Sequence, residues 1–124
     1  MAYRTKNGTL GYVSGRLECA FFTTAEGSEP VREWLKTLPL ADMKEIGSDI
    51  ERIQWRWPVS KPLVGTLRGG LYEVRTKIDT VQYRVLFAIV DSTMVLLHGF
   101  VKKSRTAPDE IAVGRARLKL LKES

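Results

Sequence analysis

Apolar residues recur every three or four positions in the middle of the chain, and this is the period of a helix. Charged residues occupy the positions between them along residues 40–57. This spacing predicts an amphipathic helix whose apolar stripe packs on a sheet. The stripe consists of Leu40, Met43, Ile46, Ile50, Ile53 and Trp57. A shorter helix is predicted over residues 29–38, with Ser28 as its N-cap and Pro30 in the first turn.

After Pro58 the pattern changes from helical to alternating, which is typical of strands. The alternation predicts an antiparallel meander with two-residue turns at Asp79-Thr80 and Asp91-Ser92. Its three strands are expected near residues 71–78, 81–90 and 93–102. Residues 16–23 predict a first strand, residues 59–70 a loop with at most a short extended piece, and the segment after "SRTAPDE" a last helix. The fold class is therefore α+β.

Two-residue turns also predict which side chains face each other across the meander. Arg75 should lie opposite Arg84, and Arg84 opposite Gly99, which would leave space beside the two arginines. One face of the sheet becomes the core against the first two helices, with Tyr72, Val74, Thr76, Ile78, Tyr83, Val85, Phe87, Ile89, Met94, Leu96, His98 and Phe100. The other face should be cationic at one end and receive the last helix at its apolar end. Its residues are Glu73, Arg75, Lys77, Arg84, Gly99, Leu86, Ala88, Leu97 and, if the last strand continues, Lys103.

Length and composition limit the class of protein. With 124 residues the chain is expected to form one domain over residues 16–124, preceded by a flexible tail at residues 1–15. No apolar run approaches the roughly 20 residues of a membrane span, and a cytoplasmic protein is expected. One cysteine and one histidine provide no zinc-binding cluster, so neither a metal nor another cofactor is predicted.

The positive charge is concentrated in the second half of the chain. The net charge is +6; residues 1–58 carry 8 basic and 8 acidic residues, whereas residues 59–124 carry 12 and 6. Such an asymmetry favours a polyanionic partner, either a nucleic acid or an acidic protein segment. A purely solubilising charge is the alternative.

Three short motifs carry a resemblance to a known family. "LRGGLYEVR", "YRVLF" and "LLHGFVKKSRTAP" occur in this order and are followed by a terminal helix. In this combination the chain resembles, over about residues 16–122, the RelE/ParE superfamily of bacterial toxins, and within it the HigB-like, phage-derived branch. The resemblance implies a compact α+β domain that cleaves mRNA, commonly on the ribosome and without metal. It also implies silencing by a cognate antitoxin, often one with a helix-turn-helix DNA-binding domain.

The resemblance also implies site residues. Arg84, the arginine of the "YR" motif, would contact the scissile phosphate, Arg75 would contact the phosphate or assist proton transfer, and Lys103 would stabilise the leaving oxygen. Glu73 would be either the general base or an ion-pair partner of Arg75. The C-terminal tyrosine of some members has no match after Lys103, so the scheme of proton transfer is left open.

Further cations are candidate contacts to the RNA backbone, although they could equally be ordinary solvated residues. They are Lys61, Arg68, Lys77 and Lys102. Two other functions stay open. One is a ParE-like inhibitor of DNA gyrase without nuclease activity, and the other is a noncatalytic RNA-binding module. The opposed arginines favour the ribonuclease, because gyrase inhibition gives no evident reason for them.

Overall fold

In the computed structural model the described residues are 16–103 and 107–123, so the predicted tail at residues 1–15 lies outside them. Five strands and three helices follow one another along the chain. They are β1 (Glu18–Phe21), α1 (Pro30–Leu35), α2 (Leu40–Arg56), β2 (Val64–Arg68), β3 (Leu71–Ile78), β4 (Val81–Val90), β5 (Thr93–Val101) and α3 (Pro108–Glu123). The strands form one sheet in the order β1-β5-β4-β3-β2, which confirms the α+β class.

Helix α2 covers one face of the sheet through the stripe that its sequence period predicts. Ile46 and Ile53 are fully buried and Ile50 nearly so, in a cluster with Val85 and Phe87 of β4. Leu40 departs from the prediction, because at the first position of the helix it is 61% exposed. The apolar contact between α2 and the sheet therefore comes from the central turns of the helix, which carry Ile46, Ile50 and Ile53.

Two hydrogen bonds also attach α2 to the sheet. The Tyr83 hydroxyl donates to Asp42 over 2.5 Å, and the Thr76 hydroxyl donates to the buried Asp49 over 2.7 Å. The bond to the Asp42 carboxylate raises the pKa of Tyr83, with burial as a smaller cause. Because these bonds join specific atoms, they fix the position of α2 along the strands.

Helix α3 covers part of the other face. Leu118 and Leu121 pack in a second apolar cluster with Leu86 and Leu97, which confirms the predicted landing place of the last helix. The approach is close at Gly114, where a Cβ atom would lie 2.6 Å from a methyl carbon of Leu86. The sheet therefore has apolar layers on both faces, and α3 is held near the β4 backbone.

Both predicted turns and the first predicted register are confirmed. Asp91 and Ser92 have φ of 48° and 65°, the left-handed values of a two-residue hairpin of type I′, and Asp79 has φ of 54°. Across β3 and β4, Arg75 faces Arg84 as predicted.

The predicted register between β4 and β5 is correct from Phe87 to Val90, but it is wrong from Leu86 back to the start of β4. Phe87 faces Leu96, but the next residue of β4, Leu86, faces His98, so Leu97 is an extra residue in β5. An extra residue of this kind is a β-bulge, and it shifts all later pairs by one position. As a result Arg84 faces Phe100 and not Gly99.

The bulge also exchanges the faces at the end of β5. His98 and Phe100, predicted in the core with α1 and α2, lie on the α3 side: His98 contacts Glu110 of α3, and Phe100 belongs to the second cluster. Gly99 faces α1 instead. A Cβ atom there would lie 2.2 Å from the ring of Trp34, so the glycine leaves room for this indole and not for a ligand beside the arginines.

Smaller differences concern the edges of the sheet and the first helix. β1 joins the sheet parallel to β5, and β2 is a full strand paired with β3, where only a short extended piece was expected. Helix α1 begins after Glu29, so Ser28 is not its N-cap. Among the described helices none is long and apolar enough to cross a membrane.

The contact between Gly99 and Trp34 predicts the stability of two glycine variants. Gly99→Ala should lower the free energy of unfolding by about 1–3 kcal/mol, because the Trp34 ring has to move within a packed layer. Gly47→Ala is the control. Gly47 is exposed on α2 with nothing within 4 Å of a new Cβ atom, and alanine should stabilise the helix by roughly 0.5–1 kcal/mol. Urea unfolding measures both. Equal effects of the two variants would contradict the contact.

Candidate functional site

On the α3 side of the sheet, polar side chains of β3 and β4 lie in neighbouring rows. Glu73, Arg75 and Lys77 alternate along β3, so all three project from the same face. Their partners across the ladder are Leu86, Arg84 and Gln82. The structure therefore brings together three of the predicted site residues, Glu73, Arg75 and Arg84, with Lys77 in the next row.

Arg84 is buried under this surface and is only 2% exposed. Its Nη1 donates to the carbonyl of Tyr83 over 3.0 Å, and its Nη2 donates to Oε1 of Gln82 over 2.9 Å. Nε has no hydrogen-bond acceptor among the described residues, and Oε1 of Glu73 lies 3.6 Å from it. The guanidinium is thus held on two sides by hydrogen bonds and on the third by charge attraction alone.

A glycine on β2 makes room for the Glu73 carboxylate. Gly65 faces Glu73 across the β2–β3 ladder, and a Cβ atom on Gly65 would lie 2.6 Å from Oε2 of Glu73. The Glu73 side chain remains 18% exposed. The carboxylate therefore occupies the space that the missing side chain leaves, between the edge strand and Arg84. Sequence reasoning missed Gly65 and Gln82, because the pairing of β2 and the burial of Arg84 were not predicted.

The electrostatics of the site follow from this arrangement. Burial lowers the pKa of Arg84; the Glu73 carboxylate opposes this shift, and the neighbouring cation of Arg75 adds to it. The guanidinium stays charged, since an arginine does not lose its proton in a protein. Facing like charges cost free energy, and here Glu73, one row away, offsets part of that cost. The predicted ion pair of Glu73 with Arg75 is wrong in its partner, because the carboxylate lies beside Arg84 instead.

The accessible cations surround this buried centre. Arg75 is half-buried and Lys77 is exposed. Directly after β5 the N–H of Lys102 donates to the carbonyl of Gln82 over 2.7 Å, which places Lys102 beside this row, and Lys103 follows as an exposed residue. A contact of Lys103 with a leaving oxygen stays a prediction.

The two remaining candidates lie at opposite ends of β2, and Lys61 is two residues before Leu63, whose carbonyl accepts from the N–H of Arg75 over 2.9 Å. Lys61 is exposed in the turn before β2, and Arg68 is exposed where β2 ends, so the length of the strand separates them.

Within the described ranges, no cluster of three histidine, cysteine or acidic side chains could hold a metal ion.

The only histidine connects the sheet to α3. Nε2 of His98 lies 2.7 Å from Oε1 of Glu110, and Nδ1 lies 3.3 Å from Nη1 of Arg117. Because Arg117 can only donate, Nδ1 accepts and Nε2 carries the proton towards Glu110. Arg117 also donates to the carbonyl of Leu97 over 2.8 Å. Both ring nitrogens are thus occupied, which gives His98 a structural role.

Comparison with known proteins identifies a family for most of the chain. The family model of the phage-derived Gp49-like proteins (DUF891) matches residues 33–119, well over half of the chain. No curated protein shows a significant match to the sequence. The matched segment contains Glu73, Arg75, Arg84 and Lys103. The chain therefore belongs to the Gp49-like family of phage-derived proteins, a family associated with RelE/ParE-like toxin modules.

Proposed function

We propose that the protein is the toxin of a type II toxin–antitoxin module, of the HigB-like kind, and that it cleaves mRNA on the ribosome without a metal ion. The observation that carries this proposal is the pair Arg75 and Arg84, opposed on a partly accessible sheet face with the Glu73 carboxylate in the next row. Membership of the Gp49-like family supports the toxin part. Cleavage of mRNA in the cytoplasm would stop translation.

The proposed reaction is an attack of the ribose 2′-hydroxyl on the adjacent phosphate. Negative charge then develops on the phosphorane and on the leaving 5′-oxygen, and fixed cations stabilise it. Arg75 supplies the accessible guanidinium at the phosphate. Lys103 is assigned to the leaving oxygen, since α3 carries no tyrosine that could serve there. Lys77 and Lys102 lie in the adjacent row and are assigned to neighbouring phosphates.

Glu73 is assigned as the general base. Its Oε1 lies 3.6 Å from Nε of Arg84, which is within ion-pair distance but too long for a hydrogen bond. Charge attraction thus positions the carboxylate without occupying its lone pairs, so they are available to accept the proton of the 2′-hydroxyl.

Arg84 is assigned as a positioning residue, because its guanidinium is covered. It holds Glu73 and adds positive charge beneath the phosphate that Arg75 contacts. Direct contact of Arg84 with the phosphate requires it to leave Gln82 and Tyr83, to which it donates two hydrogen bonds.

An antitoxin is proposed as the protein partner, with a helix-turn-helix domain as its DNA-binding part. An acidic segment of it would complement Arg75 and Lys77 and keep RNA from the face.

One observation favours a second candidate function, the noncatalytic RNA-binding module. Arg84 is 2% exposed, and such a buried cation can be purely structural. A ParE-like gyrase inhibitor is the third possibility. The three functions differ in what happens to RNA and DNA after the protein is produced, as the next experiment measures.

Production of the protein without an antitoxin should cut cellular transcripts at defined positions, which primer extension detects. Arg75→Gln and Glu73→Gln should each reduce cleavage about 10²-fold or more, because they remove a transition-state cation and the general base. Lys36→Gln, on the α1 side of the molecule, should cleave like the parent. Intact transcripts with double-strand breaks in DNA would indicate gyrase inhibition instead. Intact transcripts bound by the protein would indicate the noncatalytic module.

Gly65→Ala tests the position of Glu73 without changing a charge. The new Cβ atom would displace the Glu73 carboxylate, and the flexible side chain can move away, so the fold should be retained. Cleavage should fall at least about tenfold, because a misplaced base accepts the proton less well. The double variant with Glu73→Gln should be no slower than Glu73→Gln alone, since both act on the same group. Full activity of Gly65→Ala, or additive losses, would contradict the assignment of Glu73.

Variants of Arg84 separate its structural from its catalytic contribution. Arg84→Ala should lower the free energy of unfolding by about 1–3 kcal/mol, because it leaves the buried carbonyl of Tyr83 and the amide of Gln82 without a donor. Arg84→Met should recover part of this loss by filling the volume, yet cleave as slowly as Arg84→Ala. Urea unfolding and single-turnover cleavage provide the two measurements. An Arg84→Met variant that cleaves at the parent rate would show that the buried cation takes no part in the reaction.

A further inference from the structure

The C-terminal half of α3 carries a second group of cations that the proposed site does not use. Arg115, Lys119 and Lys122 are spaced by four and three residues, so they share one side of the helix. Lys119 and Lys122 are exposed. We call these three residues, together with Arg68 in the neighbouring β2–β3 turn, the basic turn surface.

Arg115 connects the helix to that turn. Its Nη2 donates to the carbonyl of Leu67 over 2.6 Å, and its Nη1 donates to the carbonyl of Arg68 over 3.2 Å. The guanidinium thereby holds the backbone at the end of β2 beside α3. Arg115 is therefore a positioning residue of this surface, and Arg68 is the cation that it positions.

Two glycines bring the cations close to bare backbone. Gly69 and Gly70 are exposed, with φ of 65° and 83°. A Cβ atom on Gly69 would lie 3.5 Å from Nη1 of Arg115, and one on Gly70 would lie 3.9 Å from Nζ of Lys122. The turn that follows Arg68 therefore has the Arg115 guanidinium beside Gly69 and the Lys122 ammonium beside Gly70.

No ion pair joins the basic turn surface to a carboxylate of the described residues. No carboxylate there lies within 4.0 Å of Arg68, Arg115, Lys119 or Lys122. The helix dipole favours a cation such as Lys122 in the last turn, but it gives no reason for Lys119 or for Arg68. Like charges kept together without an ion pair to a carboxylate favour the binding of a polyanion.

We propose that the basic turn surface binds the sugar-phosphate backbone of single-stranded RNA on one side of the cleavage site. This inference rests on the proposed function for the identity of the polyanion. Along β2 the distance from Gly65, beside Glu73, to Arg68 is three residues, or roughly 10 Å. From Arg115 to Lys122 along α3 it is again roughly 10 Å. An RNA strand that extends from the Glu73 carboxylate along β2 would therefore reach the basic turn surface after roughly 10 Å.

The side-chain chemistry favours RNA backbone over an amphipathic peptide. The exposed apolar residue of this helix end, Leu120, is 58% exposed. It follows Lys119 by one residue, which turns it about 100° away from the cations. The surface thus presents charged side chains and glycine backbone, the groups that contact phosphates, but no apolar side chain that would anchor a peptide.

The experiment compares two triple variants with the same loss of charge. One changes Arg68, Lys119 and Lys122 to glutamine and leaves Arg115 in place. The control changes three exposed cations to glutamine: Lys36, directly after α1, and Lys44 and Arg56 of α2. Fluorescence anisotropy measures binding of 2′-O-methyl RNA, which cannot be cleaved, at several salt concentrations. A short oligonucleotide that covers only the Glu73 site and a longer one that extends past the turn are both used.

For the longer RNA, the first variant should bind about tenfold more weakly than the parent at low salt. Its plot of log affinity against log salt should be less steep by about 2, because each lost phosphate contact removes about 0.7. The control should keep the parent slope, and the short RNA should bind all three proteins equally. An unchanged first variant, an equal loss in the control, or no binding of RNA by the parent would overturn the inference. Loss of binding in the first variant, together with intact cellular transcripts in the primer-extension experiment on the parent, would keep this surface and refute the ribonuclease.

Discussion

The pairing of β4 with β5, with its one extra residue at Leu97, determines which side chains face the proposed site. Without this bulge His98 would enter the apolar layer beneath α2, and Gly99 would lie beside Arg84. With the bulge, His98 and Phe100 face α3, and the Trp34 ring packs where a side chain at position 99 would otherwise lie. A polar ring therefore stays out of the main core, and α1 approaches the sheet closely enough to pack on it.

The same pairing explains why the arginine pair is asymmetric. Phe100 faces Arg84 on one side and Arg75 faces it on the other, so the Arg84 guanidinium is covered while Arg75 stays partly accessible. A buried cation needs compensation, and Glu73 supplies it from the next row because Gly65 leaves room for the carboxylate. Charge compensation and the position of the carboxylate that we propose as the base thus result from one arrangement.

The sequence predicts those parts that depend on local patterns. The helical period locates α2, and the turns at Asp79 and Asp91 fix the lengths of β3 and β4 and the pairing of Arg75 with Arg84. The features that the sequence did not predict depend on contacts between distant segments. The bulge at Leu97, the parallel pairing of β1 with β5 and the position of Gly65 opposite Glu73 have no local signal. For the candidate site, the sequence predicted that Arg75 faces Arg84, but it did not predict the burial of Arg84 or its ion pair with Glu73.

We propose that the scissile phosphate lies against Arg75, above the buried Arg84. Heteronuclear NMR of the arginine Nε–Hε groups, recorded while 2′-O-methyl RNA is added, tests it most directly. The largest shift is expected at Arg75, a smaller one at Arg84, whose bonds to Gln82 and Tyr83 persist, and none at Arg32 on α1. Unchanged Arg75 and Arg84 signals at RNA saturation, with shifts confined to arginines elsewhere, would contradict it.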